Sequence, residues 1–267
     1  MEVINERPPR DGFRVAIFDF DGTLSLLRRN WHEIMIPMMV ETLSGLPGSE
    51  STNQIAQVVE DFVMRLNGRQ TIYQMIQLAE EVESRGGVPR APLDYKRQYH
   101  NLLWSEVSQR VSAVKEGVVS AESFTVPGAM KLLDRLTQNN VLLYLASGTD
   151  LNYVRDELGV LGLDRFFGDR VYGALDDYKQ FSKAMIVRRI FEETGFAAKQ
   201  LVGFGDGFVE IEEVRKAGGY AIGVASNEDT RGGVNQWKRS RLKDAGADVI
   251  LGDYSALDDL LNLLQLS

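Results

Sequence analysis

The sequence predicts an α/β fold: a doubly wound parallel sheet with an inserted all-helical domain. Three observations predict it. Beyond Pro127-Gly128, short apolar runs alternate with helical periods, the pattern of strand–helix–strand crossovers. An isolated apolar run, Arg14–Phe20, lies far upstream and ends in acids. The stretch between them shows helical period alone.

The elements follow in order. Arg14–Phe20 (RVAIFDF) reads as a buried strand. Helices are predicted over His32–Leu43, Asn53–Leu66, Ile72–Ser84 and Asp94–Val114. Gly45-Leu46-Pro47-Gly48, Asn67-Gly68 and Gly86-Gly87-Val88-Pro89 break them. Ala129–Gln138 is then a helix, Val141–Ala146 a strand and Leu151–Leu158 a helix. Arg170–Gly173 is a short strand, Ser182–Thr194 a helix, Leu201–Gly205 a strand and Ile211–Ala217 a helix. Tyr220–Val224 and Asp248–Leu251 are the last strands, and Ala256–Leu263 the last helix. The expected division is residues 1–24 with 122–267 as the α/β core and 25–121 as the helical insertion.

Composition narrows the function classes. The chain has 267 residues and no cysteine, so disulfides, thiolate metal sites and cysteine nucleophiles are excluded. The 30 basic residues face 38 acidic ones, a formal charge of −8, and no Lys/Arg run forms a basic face for nucleic acid. The longest apolar runs, Ile34–Val40 and Val141–Ala146, are too short to span a bilayer. Met1–Phe13 lacks the apolar centre of a signal peptide. A cytoplasmic protein with neither a nucleic-acid nor a membrane partner is expected.

In open parallel sheets, ligands bind beyond the carboxyl ends of the strands. Strand one ends in Asp19-Phe20-Asp21-Gly22-Thr23, and Val141–Ala146 ends in Ser147-Gly148-Thr149. Leu201–Gly205 ends in Asp206-Gly207, with Glu210 one helical turn on. Lys183 follows Ser182, a candidate helix N-cap. Taken singly, each fragment is an ordinary turn or helix start. Together they place carboxylates, a hydroxyl and an ammonium on one edge. Paired carboxylates bind a hard cation such as Mg²⁺ through oxygen. An Asp can attack phosphorus, a second Asp can exchange the protons, and Ser and Lys can neutralise phosphoryl oxygens.

These motifs resemble those of the haloacid dehalogenase superfamily of phosphohydrolases. Phe18-Asp19-Phe20-Asp21-Gly22-Thr23-Leu24 looks like its first motif, Ser147 its second, Lys183 its third and Gly205-Asp206-Gly207-Phe208-Val209-Glu210 its fourth. The resemblance implies a Rossmann-like core and identifies the insertion with the family's helical cap. It implies Asp19 as nucleophile and Asp21 as general acid/base, with Ser147 and Lys183 holding the phosphoryl group. Thr23 and Gly148 are counted with the substrate-binding residues. Mg²⁺ would be held by Asp19, the Asp21 carbonyl and Asp206. Glu210 stands where the motif commonly has Asp, and is either a ligand or a partner of Lys183 or of metal-bound water. Lys183 lacks the proline that often follows, so Lys179 is the alternative.

Within that resemblance, Asp21 favours phosphate-ester hydrolysis or phosphoryl shuttling, as in a sugar phosphomutase, over dehalogenation. Hydrolysis of a small phosphorylated metabolite is preferred because nothing in the insertion demands a returning phosphoryl transfer, and a non-catalytic phospholigand-binding protein comes third. Arg28, Arg29, Trp31 and His32 open the insertion just after the first motif. Arg29 and His32 are the candidates for the leaving group, against solvated arginines beside a packing tryptophan. Asn227–Lys238, with Arg231 and Trp237, is a loop that either rims the site or is plain surface.

Overall fold

The computed structural model describes residues 1–6, 12–175 and 177–266. Residues 7–11, 176 and 267, which the expected core includes, lie outside the described residues. The chain divides into two compact units, Met1–Arg29 with Arg110–Ser267, and Asn30–Gln109. The second unit is shorter at both ends than the 25–121 insertion expected.

The first unit holds a sheet of strands β1 (Glu2–Val3), β2 (Val15–Phe18), β3 (Leu142–Asp150), β4 (Val171–Ala174), β5 (Leu201–Gly205), β6 (Tyr220–Val224) and β7 (Val249–Leu251). Their order is β1-β7-β6-β5-β2-β3-β4. All neighbours are parallel except β1 and β7. The first apolar run is therefore a central strand, with β5 and β3 beside it.

The second unit is all-helical: α1 (His32–Leu43), α2 (Thr52–Arg65), α3 (Thr71–Ser84) and most of α4 (Pro92–Lys115). Ile55, Val59, Phe62 and Val63 recur at helical spacing along α2 and are buried. The core helices are α5 (Ala129–Gln138), α6 (Leu151–Leu161), α7 (Asp164–Phe167), α8 (Lys183–Thr194), α9 (Phe208–Lys216), α10 (Gln236–Asp244) and α11 (Leu257–Leu263).

Side-chain alternation along β2 explains the two faces. Val15 and Ile17 enter a core with Ile186, Val187 and Ile190 of α8, Ile211 and Val214 of α9, and Leu242 of α10. Phe18 turns the other way, 6.2 Å from Phe167 of α7, and stacks 4.5 Å from Phe204. The sheet is thus wound on both faces. Among the described residues no helix is long and apolar enough to cross a membrane.

Three expectations are corrected. The Val141–Ala146 strand runs on to Asp150, so Ser147, Gly148 and Thr149 lie in β3 and not in a loop. The end of the Asn227–Lys238 stretch, expected as a loop, is the start of α10. The antiparallel edge strand β1 was not foreseen.

Candidate active site

Strand register builds the site. Phe18 pairs with Leu145 on one side and Phe204 on the other. Asp19 lies one residue beyond Phe18, and Ser147 and Asp206 lie two beyond Leu145 and Phe204, so the three stand at the same edge, Ser147 still within β3. After Asp19 the chain turns tightly: Leu24 and Ser25 both donate backbone N–H bonds to the Phe20 carbonyl. The chain leaving the core is then tied to the chain that returns, by Leu26 N–H to the Phe124 carbonyl and Val126 N–H to the Leu24 carbonyl.

Gly22 serves the turn twice over. Its φ is +74°, a conformation L side chains resist. A Cβ there would also stand 2.7 Å from Asp206 Cγ. The glycine thus lets the Asp206 carboxylate lie directly against the first motif.

Lys183 reaches Asp19, with Nζ 2.6 Å from Oδ1. On its other side it is ion-paired with Glu210. All three side chains are buried. Ser182 caps α8 by accepting the Met185 N–H, which fixes the backbone that carries Lys183. Glu210 is brought close because Gly205 has no side chain; a Cβ there would lie 2.8 Å from Glu210 Cγ. The alternative, Lys179, is exposed, with its ammonium over the Tyr178 ring.

Asp21 Oδ2 accepts a 2.8 Å hydrogen bond from Thr149 Oγ1, while its Oδ1 is buried and has no partner among the described residues. Burial, with the charges of Glu157 and Asp19, pushes the Asp21 carboxyl up to about 7, against the opposing effects of Arg28 and the Thr149 hydrogen bond. Ser147 is buried, and its Oγ accepts the Thr149 N–H. Gly148 lies half-buried between them in β3.

The remaining candidates sit differently from the expectation. Thr23 is wholly enclosed: its Oγ1 has no partner among the described residues, and its carbonyl accepts the Tyr254 hydroxyl. Its side chain is thus packed into the core and offers no surface to a substrate. Arg29 is half-buried, its guanidinium 5.9 Å from the Phe124 ring centroid. Arg28 is not solvated but buried in an ion pair with Glu157. His32 belongs to the helical unit, where its ring stands edge-on to Trp31. Arg231 donates to the carbonyls of Glu122 and Thr125, and Trp237 carries the Arg241 guanidinium over its ring.

A family model described as haloacid dehalogenase-like hydrolase matches residues 13–218. The chain belongs to the haloacid dehalogenase-like hydrolases. No curated protein matches it. Solved structures of similar fold include a haloacid dehalogenase-like protein of unknown function from Agrobacterium tumefaciens, 21% identical, with TM-score 0.59 over 95% of this chain and 100% of that one. A predicted phosphoglycolate phosphatase from Haemophilus somnus is 15% identical, with TM-score 0.61 over 93% and 97%. A β-phosphoglucomutase from Clostridium difficile is also 15% identical, with TM-score 0.62 over 95% and 97%.

Members of this superfamily generally use Mg²⁺, and the donor chemistry of the edge fits a hard cation. Asp206 is pushed up to about 6 by burial and by the Asp19 and Glu228 charges, against the opposing effect of Lys238. Negative charge is therefore crowded here, and Asp21 Oδ1 is an orphaned buried oxygen. Among the described residues no three acidic or imidazole side chains gather as a metal-binding group. The set Asp19, Asp21, Asp206 and Glu210 thus does not form as four side-chain ligands, because Glu210 is drawn onto Lys183.

The haloacid dehalogenase-like site also contains residues the sequence reading did not assign. Lys238 is buried, with Nζ 2.7 Å from Asp206 Oδ2 and 2.6 Å from Glu228 Oε1. Burial alone would depress it, but Asp206 and Glu228 more than offset this and hold its ammonium above the ordinary range. Thr149 was read only as part of a loop. Asn235, three residues before Lys238 and suited to an N-cap, was the available signal for a helix there.

Proposed function

We propose that the protein hydrolyses a small phosphate monoester through a phosphorylated Asp19, with Mg²⁺ as cofactor. The observation that supports this best is the pairing of two aspartates in unlike settings on one sheet edge. Asp19 faces a lysine, and Asp21 is held near 7 beside a threonine hydroxyl. A carboxylate held by an ammonium suits a nucleophile, and a carboxyl held near 7 suits an acid/base.

An Asp19 carboxylate oxygen attacks phosphorus as the bond to the leaving oxygen breaks, and protonated Asp21 gives that oxygen its proton. Asp21, now a carboxylate, takes a proton from water as the water oxygen attacks the phosphoryl group. Asp19 is released as a carboxylate together with inorganic phosphate. Lys183 and Ser147 neutralise and orient the phosphoryl oxygens. Asp19, Asp206 and the Asp21 carbonyl would hold Mg²⁺, which supplies charge neutralisation between nucleophile and phosphate when bound. Arg29 and His32 are the candidates for contact with the leaving group. A cytoplasmic location and a small-metabolite substrate belong to the same reading.

Phosphoryl shuttling between positions of a sugar phosphate uses the same two aspartates, and solved relatives named β-phosphoglucomutase make it the second reading. One screen tests both. Sugar phosphates, phosphoglycolate, nucleotides and an aryl phosphate are incubated with MgCl₂, with and without a chelator, using the native protein and Asp19→Asn. Phosphate release that needs Mg²⁺ and vanishes in Asp19→Asn is expected. Isomerisation stimulated by an added sugar bisphosphate selects the mutase. Undiminished turnover in Asp19→Asn refutes the mechanism.

A further inference from the structure

Lys238 lies outside the four motifs, yet it touches the fourth and is linked to the first. Its ammonium has three acceptors: Asp206 Oδ2 at 2.7 Å, Glu228 Oε1 at 2.6 Å and Ser226 Oγ at 3.2 Å. Three donors and three acceptors saturate the group. Ser226 in turn donates to the Gly22 carbonyl at 2.6 Å. The backbone below is fixed too, because the Lys238 N–H caps onto the Asn235 side chain at 3.1 Å. Gly22 leaves the room required: a Cβ there would stand 3.1 Å from Lys238 Nζ. Asp206 is therefore held by one oxygen.

We infer that Lys238 is a positioning residue that presents Asp206 to a divalent cation through a single oxygen, and so favours Mg²⁺ over Ca²⁺. The inference rests on the metal-dependent reading above. Its physical basis is the difference between the two ions. Mg²⁺ needs a near-ideal octahedron, with each carboxylate giving one oxygen at roughly 2.0–2.1 Å. Ca²⁺ takes six to eight oxygens and readily accepts both oxygens of one carboxylate. With Oδ2 committed to Lys238, Asp206 cannot close around the larger ion. Removing the ammonium releases Oδ2.

Charge must be separated from geometry in the test. Lys238→Met alone removes a positive charge, which tightens binding of either cation. Lys238→Met with Glu228→Gln removes one charge of each sign and leaves the net charge unchanged. Chelator-stripped native protein and this double variant are each titrated with MgCl₂ and with CaCl₂ by calorimetry, without substrate. The ratio of the two dissociation constants is expected to move toward calcium by about tenfold, in line with the outer-shell contribution to metal affinity. A ratio within about twofold of the native value overturns the inference while leaving the metal-dependent reading intact. Native protein that binds no Mg²⁺ overturns both. Circular dichroism and a thermal melt check that the double variant folds. If it does not, Ser226→Ala takes its place, since it removes one of the three acceptors that hold the ammonium. The ratio should then move the same way by a smaller factor, and an unmoved ratio overturns the inference.

Discussion

The ion pair between Arg28 and Glu157 joins the first-motif segment to α6, and its loss has a calculable cost. Arg28 Nη2 stands 2.7 Å from Glu157 Oε1, and Nε stands 3.0 Å and 3.2 Å from the two carboxylate oxygens. The side chains are 8% and 2% exposed. Solvent does not screen such a pair, so the discount that applies to surface pairs does not apply here. Arg28→Met keeps most of the volume and leaves the Glu157 carboxylate buried without this cation. That costs about 3–5 kcal/mol. Loss of the guanidinium from the Tyr153 ring, 5.4 Å away, adds to it. With a urea m-value of about 2–3 kcal/mol/M, the unfolding midpoint should fall by about 1.5 M.

The double variant Arg28→Met/Glu157→Leu removes both charges and their desolvation together. It should return to within about 2 kcal/mol of the native protein, giving a coupling of at least about 2 kcal/mol. Urea unfolding of the native protein, both single variants and the double variant, followed by circular dichroism, closes the cycle. A single-variant cost below about 1 kcal/mol, or a double variant as damaged as the two singles combined, refutes the reasoning. Activity gives a second readout. Arg28 lowers the Asp21 carboxyl and Glu157 raises it. Arg28→Met should therefore carry the basic limb of kcat/KM to higher pH, and the double variant should largely restore it.

Two further outcomes follow from the same geometry. Asp21 and Asp206 have folded-state values raised to about 7 and about 6, from an ordinary 3.8. Each therefore contributes stability that is present below about pH 4 and lost as pH rises through its folded value. In metal-free protein, Asp21→Asn should gain stability relative to native as pH rises from 5 to 7.5, measured by urea midpoints. A difference that stays flat with pH would remove the raised carboxyl from the account. Gly22→Ala should cost more than about 2 kcal/mol, because a left-handed φ and a Cβ against Asp206 act together. A melt close to native would show that the turn can relax.

The legible parts of the fold were those where one local signal decides. α1 and α5 coincide with their sequence expectations because glycine or asparagine punctuation flanks a clear helical period. β5 and β6 coincide because continuous apolar runs buried on both faces have sharp ends. The far end of β3 was missed because Ser147-Gly148-Thr149 has no apolar run. Its last ladder contact, Asp150 with Ala174, follows an irregularity after Ala146 that only the partner strand dictates. α10 was missed because QWKRSRLKD is nearly all polar and buries only Lys238 and Leu242. The chemistry of Lys238 was invisible for the same reason: a lysine on a polar helix reads as solvated until its buried acceptors are placed around it. Arg28 shows the converse. Its type suggested either substrate or solvent, and a carboxylate 129 positions away claims it.

One electrostatic pattern runs through all three aspartates of the edge. Asp19 faces Lys183, which faces Glu210. Asp206 faces Lys238, which faces Glu228. Asp21 lies within the field of Arg28, which is paired with Glu157. In each case a cation that would otherwise cancel the aspartate is shared with a glutamate behind it. Fully ionised, each trio keeps one net negative charge, and the three lie close enough for Asp19 to act on both other aspartates. That excess is a reason, beyond burial, why Asp21 and Asp206 hold protons more tightly than free carboxylates. A divalent cation shared by Asp19 and Asp206, together with one proton on Asp21, would cancel the excess in full. Two of the glutamates thus act on an aspartate of the edge in a way that a bare Asp–cation pair would not. Glu228 raises the hold of Asp206 on its proton, and Glu157, added to burial, raises that of Asp21, which under the proposed mechanism gives its proton to the leaving oxygen.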